Sequence, residues 1–248
     1  MHHCHRDKTA VIKNASRFGP PPERTGQAGP LRHGVDHSVA GLRLVGLCPK
    51  GLEPVDLEVV AGELVFLSGP SGSGKSLLLR AIADLDPHVG EVLIDGVSRS
   101  ALSAPEWHRR VGLLPAKSHW WGDRVGDHLH DPGARTGEWD AEVVDILDRL
   151  GFGTEVLGWS VSRLSTGERQ RLALARLIAN RPEVLLLDEA TANLDPLNQD
   201  RVETMVRNYR RERAAAVLWV SHDPEQRRRL AGRGLVIRNA RLELEPWT

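Results

Sequence analysis

The spacing of hydrophobic residues predicts short strands that alternate with helices. Residues 42–45 and 55–59 alternate apolar and polar side chains, which is the period of strands buried on one face. The runs 184–187 and 216–220 are apolar throughout, a pattern typical of parallel strands covered on both faces. Three further segments also predict strands: 63–68, 91–96 and 111–114.

The strand pattern disappears between about residues 116 and 165. Residues 125–130 and 140–150 predict helices there, and the second segment places apolar side chains on one face. Asp195-Pro196 and Asp223-Pro224 each predict a helix start, with an aspartate cap followed by proline at the first helical position. The pattern as a whole indicates an α/β core with a small helical insertion at about 116–165.

Composition limits the partners of the chain. Its 248 residues carry 33 basic and 33 acidic side chains, so no net charge attracts nucleic acid, and we expect no nucleic-acid partner. No apolar run is long enough to cross a bilayer, and the N-terminus lacks the apolar stretch of a secretory signal. Two cysteines imply no disulfide framework, so a cytoplasmic location is expected.

Residues 1–37 differ from the rest because they are rich in proline, glycine and charge and poor in apolar side chains. We expect a flexible, disordered leader followed by one domain over 38–248. His2, His3, Cys4 and His5 are metal-binding residue types. Nothing in the sequence holds them in a fixed geometry, so a polar terminus is the simpler interpretation.

The strongest chemical signal is a phosphate-binding loop between a predicted strand and a predicted helix. It matches the pattern G-x-x-x-x-G-K-S, and the predicted nucleotide contacts run through the first residue after it: Gly69, Pro70, Ser71, Gly72, Ser73, Gly74, Lys75, Ser76 and Leu77. The glycines let backbone N–H groups converge on phosphate oxygens, and the helix N-terminus adds partial positive charge. Lys75 is placed to reach the β- and γ-phosphates, and the Ser76 hydroxyl to ligate Mg²⁺.

Four other residues extend this site in the sequence. Asp188 ends a buried strand and is expected beside Ser76 in the Mg²⁺ shell, while Glu189 is placed to polarise an attacking water. Ser165 opens a helix whose N-terminus is a second anion site, although capping that helix is an alternative role. His222 follows another core strand and is placed to contact a γ-phosphate oxygen, with a purely structural role as the alternative.

Five ordered motifs resemble those of the ATP-binding cassette (ABC) family over about residues 38–248: GPSGSGKS, LSTGE, VLLLDEA, ANLD and SHD. The resemblance implies a P-loop NTPase core of ABC type, with a mainly parallel sheet flanked by helices. It also implies an antiparallel β subdomain on the N-terminal side and a small helical subdomain. Two such cassettes stack head to tail in the family, and two ATP molecules lie between the phosphate loop of one and the signature motif of the other.

The resemblance assigns roles to individual residues. Within one chain, Lys75 and Ser76 match the phosphate and Mg²⁺ contacts, and Asp188 matches the Mg²⁺ carboxylate. Glu189 matches the catalytic base, and His222 matches the switch histidine.

The same comparison assigns residues to the second half of each site. Ser165 and Gly167 match the contacts to the γ-phosphate held by the partner, and Asp195 matches the residue that communicates between the two sites. ATP closes the family's dimer and hydrolysis opens it. Only the γ-phosphate bridges the two halves, so its loss removes contacts that exist only in the closed state.

The sequence departs from the family in two places. A glutamine that contacts Mg²⁺ and the attacking water is matched here by Ala116, which cannot ligate a metal. We expect Ser118, His119 or a water to substitute, the alternative being that Asp188 and Glu189 suffice. The family's adenine-stacking aromatic ring is missing from residues 45–52, which predicts weak base selectivity.

The motifs leave two functions open. Several stretches resemble the small ATPase subunits of the FetA type, which are linked with iron efflux, and this favours the ATPase subunit of a transporter with a separate transmembrane permease. Trp120 and Trp121, in the helical insertion, are candidate anchors for that permease, with ordinary packing as the alternative. Such a subunit would be peripheral on the inner face of the plasma membrane. The second function is a soluble ABC ATPase of an assembly system such as iron–sulfur cluster biogenesis.

Overall fold

The computed structural model describes residues 41–129 and 139–245. The predicted leader, 1–37, and the candidate metal ligands His2, His3, Cys4 and His5 lie outside these residues. None of the helices in the described ranges is both long enough and apolar enough to span a membrane.

Two sheets contain the strands of the described residues. The strands, in chain order, are β1 (Leu42–Pro49), β2 (Val55–Val59), β3 (Leu64–Ser68), β4 (His88–Ile94), β5 (Val97–Ser98), β6 (Val111–Leu114), β7 (Val184–Asp188), β8 (Ala216–Val220), β9 (Arg233–Arg238) and β10 (Arg241–Leu244). The α-helices are α1 (Lys75–Ile82), α2 (Ala104–Arg110), α3 (Ala141–Arg149), α4 (Thr166–Ala179), α5 (Pro196–Arg213) and α6 (Pro224–Leu230).

The smaller sheet is antiparallel, in the order β2-β1-β4-β5. Its strands β1 and β2 bury alternate side chains, as their sequence period predicted. Strand β4 turns into β5 at Asp95-Gly96, where both residues have positive φ, the conformation that two-residue hairpins favour. The expected antiparallel subdomain on the N-terminal side is therefore present.

The larger sheet has the order β10-β9-β3-β8-β7-β6. Its four pairings from β9 to β6 are parallel, and β10 is antiparallel at the edge. Every residue of β3, β7 and β8 is buried, which confirms the interpretation of the apolar runs. Because the strands are parallel, the loops after β3, β7 and β8 emerge at the same edge of the sheet.

The helical insertion is less regular than the sequence predicted. Helix α3 confirms the prediction at 140–150 and buries Val143, Ile146 and Leu147. The segment 125–130 was predicted as a helix, but its described part forms a single 3₁₀ turn, Val125–His128. A Cβ at Gly126 would lie 2.9 Å from the Leu157 carbonyl oxygen, so this backbone packs too closely on its neighbour for an ordinary helical residue.

Candidate functional site

The phosphate-binding loop joins β3 to α1. Helix α1 begins after Gly74, whose φ of 103° is left-handed and whose lack of a side chain leaves the helix start uncapped. Gly69 has φ 137°, and a Cβ there would lie 2.6 Å from the Ile237 carbonyl oxygen. Glycine is therefore required at both ends of the loop. The first N–H groups of α1, including that of Leu77, have no partner within the helix and are suited to bind anionic oxygens.

Lys75 lies over the loop that precedes it. Its Nζ donates hydrogen bonds to the carbonyl oxygens of Gly69, at 2.9 Å, and Pro70, at 2.8 Å. Burial lowers the pKa of Lys75, and the nearby carboxylates of Glu189 and Asp188 act in the opposite direction. The ammonium group is thus held beside the phosphate loop with acidic groups close to it.

Ser76 and Asp188 meet as the sequence predicted. The Ser76 hydroxyl donates to Asp188 Oδ2 at 2.7 Å, joining the start of α1 to the end of β7. Asp188 is buried, with 7% of its surface exposed. Hydroxyl and carboxylate oxygens are ligands that Mg²⁺ prefers, so these two residues fit the expected ion. Phosphate oxygens and water would complete its coordination shell.

Glu189 and His222 lie close to each other beside the phosphate loop. Glu189 Oε1 is 3.4 Å from His222 Nε2, and the backbone of Glu189 has a left-handed φ of 52°. Both residues line a cavity of about 220 Å³ together with residues of the phosphate loop and α1: Ser71, Gly72, Gly74, Lys75, Ser76 and Leu77. The structure therefore brings Glu189 and His222 to the phosphate loop, beside Lys75, the third predicted catalytic residue.

Ser165 and Gly167 are not among the residues that line this cavity. Ser165 caps α4: its hydroxyl accepts from the Glu168 N–H at 3.3 Å, and Glu168 Oε2 accepts from the Ser165 N–H at 2.8 Å. Asp195 caps α5 by accepting from the Asn198 N–H at 3.0 Å. Both capping predictions are confirmed, whereas a role in binding a partner's nucleotide stays a prediction.

The sequence departs from the ABC family pattern at Ala116 and in residues 45–52. Ala116 is exposed, and neither Ser118 nor His119 lines the phosphate-loop cavity, so their proposed substitution for glutamine stays a prediction. In the region where an adenine-stacking ring was sought, Leu52 packs against the phosphate loop. A Cβ at Gly74 would lie 2.7 Å from Leu52 Cδ2.

Trp120 and Trp121 of the insertion lie around a partly buried arginine, Arg176. The Arg176 guanidinium stacks 5.0 Å from the ring centroid of Trp120 and 4.8 Å from that of Trp121. Burial lowers the pKa of Arg176. Trp120 packs against the core, whereas Trp121 is 75% exposed, and its role as an anchor stays a prediction.

A second cavity, of about 200 Å³, adjoins Glu189 and His222. It is also lined by Thr191, Ala192, Gln199, Ser221 and Asp223. Ala192, Ser221 and Asp223 belong to the ANLD and SHD motifs, whereas sequence reasoning gave no role to Thr191 and Gln199.

Comparisons with known proteins agree with this geometry. The family model described as ABC transporter matches residues 52–192. The chain is 39% identical over 183 residues to Protein STAR1 of Oryza sativa subsp. japonica, covering 73% of this chain and 53% of that protein. It is 37% identical over 180 residues to the probable iron export ATP-binding protein FetA of Escherichia coli (strain K12), covering 71% of this chain and 80% of FetA.

A solved structure shares the fold. The dimeric structure of MJ0796, a bacterial ABC transporter cassette, superposes with a TM-score of 0.71 at 23% identity, covering 84% of this chain and 100% of that one. The chain belongs to the ABC transporter family. Its fold is that of the ABC cassette, as the sequence motifs predicted, and the expected similarity to FetA is confirmed.

Proposed function

We propose that this chain is the ATP-binding and ATP-hydrolysing subunit of an ABC transporter, which works as a head-to-tail homodimer on a separate transmembrane permease. One observation carries the proposal. In a chain of this family, the phosphate loop, Glu189 and His222 line one cavity that Ser165 and Gly167 do not line. Asp188 is hydrogen-bonded to Ser76 of that loop. Such a site needs a second copy to supply the missing contacts.

The geometry supports a division of labour within one chain. Lys75 and the N–H groups at the start of α1 would hold the β- and γ-phosphates, and Ser76 and Asp188 would hold Mg²⁺. When bound, Mg²⁺ neutralises negative charge on the phosphate oxygens. Glu189 accepts a proton from water as the water oxygen attacks the γ-phosphorus, while the bond to the β–γ bridging oxygen breaks and ADP leaves. His222, whose Nε2 is 3.4 Å from Glu189 Oε1, would contact the γ-phosphate.

The partner's half of each site would come from the signature helix. The N-terminus of α4 would bind the anion. The Ser165 hydroxyl, which donates to Glu168 Oε2 at 2.8 Å, would donate to a phosphate oxygen instead. ATP would stabilise the closed dimer because only its γ-phosphate touches both copies. Hydrolysis removes that bridge and favours opening.

The permease is proposed from the relatives and from the insertion. The relatives include ATP-binding proteins named for iron export, Fe(3+) import and aliphatic sulfonate import, and these names favour a transporter subunit over a soluble assembly ATPase. The exposed Trp121 ring is the proposed anchor. Binding to a permease would place the chain at the inner face of the plasma membrane, in the cytoplasm.

Hydrolysis measured with purified protein tests the proposal. We expect Mg²⁺-dependent release of phosphate from ATP by the wild type, no nucleotide binding by Lys75→Ala, and binding without turnover by Glu189→Gln. Wild-type protein that binds and cleaves no nucleoside triphosphate would refute the proposal. Copurification with a polytopic membrane protein supports the transporter role, whereas copurification with soluble scaffold proteins supports the assembly role.

A further inference from the structure

A buried polar network lies behind Glu189 and His222. Gln226 on α6 is fully buried, and Glu203 on α5 is 2% exposed. Burial of an amide and a carboxylate costs free energy unless both are hydrogen-bonded, so two such residues in contact require specific partners. Two partners of Gln226 lie on the segments that carry the candidate catalytic groups.

Gln226 connects the loop after β7 to the loop after β8. Its Oε1 accepts from the Ser221 hydroxyl at 2.6 Å, and its Nε2 donates to Thr191 Oγ1 at 2.8 Å and to Glu203 Oε1 at 3.0 Å. An ionised carboxylate only accepts hydrogen bonds, so Nε2 must face Glu203, and the orientation of the amide follows. Ser221 immediately precedes His222, and Thr191 lies two residues after Glu189. One side chain therefore ties both segments together.

Glu203 connects the network to two further side chains, those of Arg229 and Gln199. Arg229 Nη2 lies 2.7 Å from Glu203 Oε1 and balances its charge. Gln199 Nε2 donates to Glu203 Oε1 at 3.1 Å and also to Asp223 Oδ2 at 3.2 Å. Because Asp223 directly follows His222, the histidine is flanked on both sides by residues of the network.

We propose that Gln226 and Glu203 are positioning residues for hydrolysis, a role that rests on the proposed ATPase function. They fix the separation between Glu189 Oε1 and His222 Nε2, now 3.4 Å. The left-handed backbone of Glu189 persists only where its surroundings hold it, and the network supplies such support. A displacement of about 1 Å in a catalytic group lowers turnover by up to about a hundredfold.

Loss of the network should lower turnover and leave nucleotide binding unchanged. The cavity of the phosphate loop is lined by Glu189 and His222 but by none of Gln226, Glu203 and Thr191. Loss of the network therefore leaves the loop and Lys75 in place while the catalytic pair moves. This split between kcat and KM distinguishes a positioning role from general support of the fold.

The test compares Gln226→Met, which keeps the side-chain volume and removes three hydrogen bonds, with wild type. We expect kcat for ATP to fall by about ten- to a hundredfold, with KM within about threefold. Thr191→Val removes one hydrogen bond of the network and should lower kcat in the same direction by less, which keeps the test valid if Gln226→Met does not fold. Val202→Ala, a buried apolar truncation next to Glu203, is the control that should lose stability while kcat stays within about twofold.

Gln226→Glu is a more disruptive variant because it opposes two buried carboxylates, so its kcat should fall at least as far as that of Gln226→Met. A wild-type kcat in Gln226→Met or Thr191→Val, or a loss no larger than in Val202→Ala, would overturn the inference. If wild type and Glu189→Gln behave as proposed while Gln226→Met is fully active, this inference alone fails.

Discussion

The substitution Gly167→Ala distinguishes the stability of a single chain from the assembly of two chains. Gly167 is the second residue of α4 and has no left-handed φ, so alanine fits its backbone. The added Cβ would lie 3.1 Å from Leu194 Cδ2, the end of a flexible side chain that gives way at small cost. Alanine is favoured over glycine in helices by about 0.5–1 kcal/mol. We therefore expect the free energy of unfolding to stay within about 1 kcal/mol of wild type.

The same substitution should impair hydrolysis. If a partner's γ-phosphate approaches the start of α4 at Gly167, a methyl group there displaces a hydrogen bond to a charged oxygen, which is worth about 1.5–3 kcal/mol. That loss corresponds to a fall in ATPase rate of about ten- to 150-fold. Urea unfolding and phosphate release measured on the same preparations provide both numbers.

Gly158→Ala is the matched control for this prediction. Gly158 lies in a 3₁₀ turn, and its added Cβ would meet nothing within 4 Å. We expect wild-type hydrolysis from it. A Gly167→Ala protein that hydrolyses ATP at the wild-type rate would refute the assignment of α4 to the partner's nucleotide.

Three further predictions follow from single observations. Because residues 45–52 offer no aromatic ring, ATP and GTP should bind with dissociation constants within about tenfold of each other in equilibrium titrations, and a large preference for ATP would mean that another group grips adenine. Ala116→Gln should change the rate of ATP turnover, and an unchanged rate would mean that Asp188 and Glu189 suffice. Hydrogen bonds from the backbone and hydroxyl of Ser165 lower the pKa of Glu168, so the capping box stabilises the fold above the ordinary glutamate pKa and is lost as pH falls through the lowered value. The unfolding free energy of wild type should therefore exceed that of Glu168→Ala by about 1 kcal/mol at neutral pH, and the difference should vanish in acid; a constant difference would contradict this.

The parts of the fold that the sequence predicted are those with strong local signals. The apolar runs of β7 and β8 have a single plausible placement, inside a covered parallel sheet. The glycine and proline pattern from Gly69 to Ser76 encodes its own loop geometry, and the caps Ser165 and Asp195 depend only on neighbouring residues. Contacts across the sheet edge, such as that of Ser76 with Asp188, follow once the strands are known to be parallel.

Features that depend on distant packing were missed or misjudged. Strands β9 and β10 alternate weakly and gain their definition from pairing with β3 and with each other. In the 3₁₀ turn Val125–His128, Gly126 lies close to Leu157, a contact that no local pattern records. Gln226 and Glu203 lie on helices rich in charge, and only tertiary contacts reveal that both are buried.

The central claim is that two copies of this chain close on ATP. Light scattering coupled to size exclusion, applied to Glu189→Gln with ATP and Mg²⁺, tests it most directly because this variant should bind nucleotide without cleaving it. We predict a dimer that retains two ATP molecules, a monomer when nucleotide is omitted, and no dimer when Lys75→Ala is combined with Glu189→Gln. A monomer with ATP bound, or a dimer indifferent to nucleotide, would contradict the account.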